Sequence, residues 1–166
     1  IEEGSLAKVP TPPTRAGYAF TGWDYDLTTP ITQPTAITAQ WQARTDTPYI
    51  IEYYLQNLED NNYTLTKTTP CTGETDTTAT TEPIVFTHFT FNALYSGNVL
   101  SGNIDGKGTL VLKVYYTRDT YDVEVLGNNT KAGTFTNESN TYKYDKEITL
   151  SVTTNPGYTF RSEERR

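Results

Sequence analysis

Apolar and polar residues alternate in short runs along this chain, and each run is bounded by turn-forming residues. In "AITAQW", Ile37, Ala39 and Trp41 fall on one side and Thr38 and Gln40 on the other. In "YIIEYYL", Tyr49, Ile51, Tyr53 and Leu55 alternate with Ile50, Glu52 and Tyr54. "TLVLKVYYT" aligns Leu110, Leu112, Val114 and Tyr116, and "EITLSVTT" aligns Ile148, Leu150 and Val152. A period of two marks a strand with one covered face, because successive side chains leave a strand on opposite sides. Between the runs lie "LEDNN", "SGN", "DGKG", "GNN" and "NPG", residues that reverse a chain through short polar side chains or glycine. The stretch Asn103–Gly108 sits where a hairpin should turn. Helical signals are short. One turn could open at Ser5 before Pro10 and Pro12 end it, and a short helix could open at Thr81 or Glu82, with Pro83 in its first turn, and cross a sheet. The pattern predicts a mainly β chain, a β-rich α+β fold.

Repetition divides the chain. Gly-Tyr-x-Phe occurs at Gly17–Phe20 and again at Gly157–Phe160, and "FTFNA" (Phe89–Ala93) holds a comparable place between them. "AITAQWQARTDTPYIIEYY" and "LVLKVYYTRDTYDVEVLG" both read as strand, polar joint, strand. Placing the joints at Ala43–Pro48 and Thr117–Thr120 predicts three units: 1–43, 48–118 and 121–166. Within the first, Tyr18 and Phe20 face the same way, and Gly22 allows a bend or bulge that delivers Trp23 beside Trp41. These rings, with Tyr158 and Phe160 in the later copy, are expected to form the structural core of the repeat, each worth roughly 1.5–3 kcal/mol by burial. An aromatic platform for sugars is the alternative for the same residues.

Composition sharpens this. Threonine fills 33 of 166 positions and tyrosine 13, and both suit a pleated, half-exposed surface. Aromatics make up 13% although hydrophobic residues make up only 35% and the mean hydropathy is -0.59. A disordered chain would lack such rings; small folded modules whose tyrosines supply apolar area would not. The net charge of -7 argues against nucleic acid or anionic lipid as partner. No run of 18 apolar residues could span a membrane, and no signal peptide is visible. The chain has no Met and begins at Ile1, so it reads as a piece of a longer protein. Cys71 is the sole cysteine and can form no internal disulfide.

Candidate chemistry is sparse. His88 is the lone histidine, expected as a half-exposed strand residue; its pairing with Cys71 carries no nucleophile or zinc signature. Asp24 and Asp26 would share a strand face, a spacing also common on solvated surfaces. "DYDLTTP" and "LEDNN" offer oxygen ligands without the spacing of a calcium loop. No phosphate loop, dinucleotide fingerprint or nucleophile elbow is present. The chain is therefore read as non-enzymatic, with no cofactor, no metal and no catalytic residue.

The residues do match a family pattern. "VPTPPTRAGYAFTGWDYDLTTPITQPTAITAQW" resembles the Listeria–Bacteroides repeat, the B-repeat type of internalin-like surface proteins, through Pro10, Pro13, Arg15, Gly17, Tyr18, Phe20, Gly22, Trp23, Thr38, Ala39 and Trp41. Residues 48–118 are similar to mucin-binding-protein-like modules, and 121–166 resemble a further repeat. The resemblance implies tandem, elongated, small β-grasp (ubiquitin-like) modules on a bacterial surface protein, extracellular at the cell wall or cell surface. It implies a first unit without its N-terminal strand. It also implies a monomeric spacer or stalk whose partners are its neighbouring repeats, or an adhesin module for a host glycan, mucin or surface protein. In the second Gly-Tyr-x-Phe copy, Ser162 and Glu163 stand where Gly22 and Trp23 stand in the first. The third unit is accordingly expected to be truncated, and its last six residues to be a tail.

Overall fold

The computed structural model describes residues 4–127, 129–136 and 139–160. Among these the chain is entirely β, with twelve strands. β1 (Tyr18–Trp23) and β2 (Ala39–Ala43) form an antiparallel pair. β3 (Thr47–Gln56), β4 (Tyr63–Gly73), β6 (Phe89–Phe91) and β8 (Val111–Arg118) form a four-stranded sheet in the order β4-β3-β8-β6. β5 (Thr78–Thr80) pairs with β7 (Ser101–Asn103). β9 (Thr120–Val123) pairs with β11 (Asn140–Lys143), and β10 (Gly133–Phe135) with β12 (Val152–Thr154).

The central sheet follows from the period of two. β3 and β8 run parallel, with Ile51 opposite Leu112 and Tyr53 opposite Val114. Leu112 and Val114 are wholly buried, Tyr116 is 1% exposed, and Ile51, Tyr53, Ala79 and Ile104 complete the core. β4 and β6 lie antiparallel on either side. Ile50 donates its N–H to Leu110 in the direction of β8, so Pro70, which faces Ile50 across β4, turns its nitrogen to the free edge. That edge thereby lacks a donor at its middle, a device that discourages strand addition.

A parallel pair needs a crossover connection, usually a helix. The short helix expected near Thr81–Glu82 is not there: residues 81–86 cross without helix, and a turn at 87–88 leads into β6. Pro83 disfavours helical backbone in the residue before it, and Thr81, Ile84, Val85 and Thr87 are β-branched. Instead Ile84 and Phe86 lie on the core. Phe86 meets Tyr53 and Tyr116 at 5.9 and 4.9 Å, and Ile84 donates its N–H to the buried Tyr116 hydroxyl at 2.8 Å. Nor is there a helical turn at Ser5, which bridges to Ile31. The α component of the expected α+β fold is thus absent among the described residues.

In the first sheet the register shifts between Phe20 and Gly22. The shift brings Trp23, an odd number of positions along, back to the face of Phe20. Phe20 then touches Trp23 at 5.3 Å and Trp41 at 5.7 Å, both edge to face. Farther on, the run Ile148–Val152 becomes strand only at Val152, and Leu150 and Val152 are 56% and 42% exposed. Ser162–Glu163 and the expected tail lie outside the described residues.

Leu112→Ala leaves a cavity in the core on one face of the central sheet and should cost about 3 kcal/mol. Leu65→Ala, at a site 44% exposed, should cost under about 0.5 kcal/mol. Urea unfolding of the two variants checks the difference.

Candidate functional site: two joints and a tyrosine face

Two contact regions, or joints, tie the segments before β3 and after β8 to the central sheet. At the first, the Arg15–Tyr18 turn meets the loops that flank the start of β3 and β8. Gly17 has a φ of +76°, and a Cβ on it would lie 2.4 Å from Gly106 Cα and 2.7 Å from Thr75 Oγ1. A Cβ on Gly106 would lie 2.2 Å from the Ala16 carbonyl. Glycine is required on both sides because two backbones touch. Gly17 O accepts from Arg44 N–H at 2.9 Å and from the Thr75 hydroxyl at 2.7 Å. Thr75 thus has its proton committed and accepts from the buried Thr47 hydroxyl at 2.6 Å. The Tyr18 hydroxyl donates to Asp76, a bond that favours the protonated phenol and raises its pKa. Arg15 covers the Tyr18 ring at 3.8 Å. Tyr18 therefore serves the joint, while Phe20, Trp23 and Trp41 pack on one another.

At the second joint the ends of β3 and β8 meet β9, β11 and the turn beyond. Arg118 donates Nε to Gln56 O and Nη1 to Tyr144 O, each at 3.2 Å, and its backbone N–H to Gln56 Oε1. The Tyr144 ring stacks on His88 at 3.9 Å and 15°, and His88 Nδ1 shares a hydrogen bond with the Tyr121 hydroxyl at 2.9 Å. His88 is thus a turn residue with a φ of 64° rather than the expected strand residue. Its backbone carbonyl accepts from Asp119 N–H, and Asp119 O accepts from Tyr144 N–H. Lys143 Nζ donates to Asn57 O at 3.1 Å and Asp60 O at 2.7 Å, and Lys146 pairs with Glu59 at 2.9 Å. The latter pair is exposed and adds about 0–1 kcal/mol. Net hydrogen bonds add about 1 kcal/mol each, and the stacked rings about 0.5–1.5 kcal/mol.

The oxygens that sequence reading considered for metals are in use. In "LEDNN" the Asp60 carboxylate accepts from Asn62 N–H and Asn57 Nδ2, bonds that hold its pKa below the ordinary value, while two neighbouring carbonyls hold the Lys143 ammonium. Asp24 accepts from Thr38 N–H, and Asp26 caps Thr28. Asp24 thus holds the segment that leads into β2, while Asp26 holds its own turn. Cys71 lies on β4 and His88 beside β6, at opposite edges of the sheet. Among the described residues no three His, Cys, Asp or Glu side chains gather in a metal-binding group.

The second face of the central sheet carries tyrosines. Tyr54 and Tyr115, cross-strand neighbours, stack at 4.5 Å and 10°. Tyr63 and Tyr95 close around Tyr115 at 5.1 and 4.6 Å. Loop 92–98 is clipped to β8 through Asn92 N–H to Tyr115 O and Tyr115 N–H to Asn98 Oδ1. Leu94, which precedes Tyr95 in the chain, is 96% exposed. The Tyr54 hydroxyl donates to Glu52 at 2.6 Å; that bond to a carboxylate, with desolvation, pushes its pKa up to about 12.

Sequence reading singled out the aromatic motif and the segments 43–48 and 117–120. Gly106, Thr75, Asp76, Gln56, Lys143 and Tyr144 escaped it, since polar turn residues look alike whether they face water or a neighbouring sheet; the glycine-dense "DGKG" was the available signal. Tyr158 and Phe160 are 45% and 59% exposed, so the second motif copy is not packed as Phe20 is.

Residues 121–162 match the family model described as a divergent InlB B-repeat domain. The chain is similar to that repeat family over this segment, the third of the units read from sequence. No curated protein and no solved structure matches the chain. Among the described residues no helix is long and apolar enough to cross a membrane.

A raised tyrosine pKa favours the neutral phenol in the fold. Its contribution is complete below the unfolded value near 10 and is lost as pH rises toward 12. Tyrosinate absorbance should therefore show a late phase near pH 12 that moves down in Glu52→Gln and disappears in Tyr54→Phe.

Proposed function

We propose that the chain is a non-enzymatic repeat region of a bacterial surface protein, displayed outside the cell and acting as a spacer. In this reading it comprises three modules, 1–43, 48–118 and 121–166. The central module is a β-grasp in which an extended crossover takes the place of the helix. One observation carries the proposal. The two neighbouring segments attach at opposite ends of the same strand pair: the first against Thr47, Thr75 and Gly106, where β3 and β8 begin, and the third against Gln56 and Arg118, where they end. Ends stitched in this way transmit orientation from module to module, which is what a stalk requires. The similarity of residues 121–162 to an InlB B-repeat supports the surface setting.

Small-angle scattering tests the proposal. The chain should scatter as an elongated particle. Gly106→Val and Arg118→Ala should each broaden its distance distribution by loosening one joint, while amide exchange at Val114 stays slow. A compact particle, or joint variants indistinguishable from the parent, would sink the spacer reading.

The tyrosine face favours a second reading, an adhesin for a host glycan, because clustered aromatic rings offer flat apolar area beside polar groups at little entropic cost. On a glycan array the intact chain should then bind, and Tyr95→Ala should lose the signal at least tenfold. An array blank for the parent chain rejects this reading.

A further inference from the structure

The turns Arg15–Ala16–Gly17–Tyr18 and Asn155–Pro156–Gly157–Tyr158 share one construction. In each, the tyrosine N–H donates to the carbonyl of the first residue at 3.1 Å. In each, the glycine in third place has a positive φ, +76° at Gly17 and +87° at Gly157, the geometry of a type II turn. Each turn presents a tyrosine and then, two residues on, a phenylalanine.

Their surroundings differ. Gly17 abuts Gly106, its carbonyl is held by Thr75 and Arg44, and the Tyr18 hydroxyl reaches Asp76. Around Gly157, no atom of the described residues lies within 4 Å of where a Cβ would stand. Tyr158 and Phe160 are 45% and 59% exposed. One copy of the turn is thus seated on a partner sheet, while at the other no described residue packs against the glycine.

We propose that the Gly157–Tyr158 turn is a docking surface for another β-module, one that presents what the central sheet presents to Gly17–Tyr18. That partner brings a glycine backbone close enough to touch Gly157, a threonine hydroxyl to donate to the Gly157 carbonyl, and an aspartate to accept from the Tyr158 hydroxyl. Asn155 stands where Arg15 stands in the first turn, so this position supplies no guanidinium to the tyrosine ring, and the phenol–carboxylate bond carries more of the recognition. The inference rests on the modular reading above.

The chain carries its own probe for this surface. Gly17→Val cannot seat against Gly106, so it frees Thr75, Asp76 and Gly106 for capture by the Gly157–Tyr158 turn of a second molecule. The test is a dilution series of the isotope-labelled Gly17→Val chain up to about 1 mM, the effective concentration a short joint provides. The amide signals of Thr75, Asp76 and Gly106 should shift with concentration. Adding Tyr158→Phe should weaken the association about tenfold, the loss of one hydrogen bond to a charged group. Adding Gly157→Val should abolish it. Amides that stay fixed up to that concentration overturn the proposal, as does an association unchanged by Tyr158→Phe; the latter variant decides even if Gly157→Val disturbs its own segment. Fixed amides alongside elongated scattering of the parent chain reject the docking surface alone, whereas a compact parent particle rejects the spacer reading.

Discussion

The central sheet is built on the parallel pairing of β3 with β8. Their shared face holds Ile51, Tyr53, Leu112, Val114 and Tyr116, the apolar mass around which the crossover folds. Parallel neighbours cannot be joined by a tight turn, so the connection carries β4 to one edge and β6 to the other. Residues far apart in the chain are thereby brought side by side. In a chain of low mean hydropathy, burial concentrated in this one place is what the remaining polar surface depends on.

The peripheral sheets are small, and two-stranded ribbons are marginal alone in water. The β1–β2 sheet compensates with an aromatic cluster assembled by a bulge, and it and the β9–β11 sheet both lean on the central sheet. The contacts differ in kind. The first joint uses the absence of side chains, glycine on glycine, with hydroxyls closing the remaining gaps. The second uses long cations reaching into carbonyl oxygens and a stacked ring pair. The former tolerates almost no change of size, whereas the latter spreads its contribution over many modest interactions.

Much of the fold was legible. The alternation at Tyr49–Leu55 and Leu110–Tyr116 marks β3 and β8, because half-buried strands impose that rhythm directly. Their mutual pairing was not legible, since partner choice over such a separation depends on three-dimensional packing. The helix expected after Thr81 failed for a local reason: Pro83 and a series of β-branched residues favour extended chain once a tyrosine hydroxyl is available to accept from Ile84. The run ending at Val152 promised a longer strand than formed; its Leu150 and Val152 stay 56% and 42% exposed, so burial does little to hold it extended. Joint residues such as Arg118 and Lys143 left no trace in composition, since a surface cation and a bridging one are the same letter.

The path of the chain through the central sheet has a mechanical consequence. It enters where β3 begins and leaves where β8 ends, and these are adjacent parallel strands. A pull exerted through the first and third segments therefore drags β3 and β8 past each other along their length. The evenly spaced, slanted hydrogen bonds of a parallel pair then bear the load together and cannot unzip from one end. The same six opposed residue pairs, Ile50–Val111 through Leu55–Tyr116, that bury the core also lie directly in the line of tension.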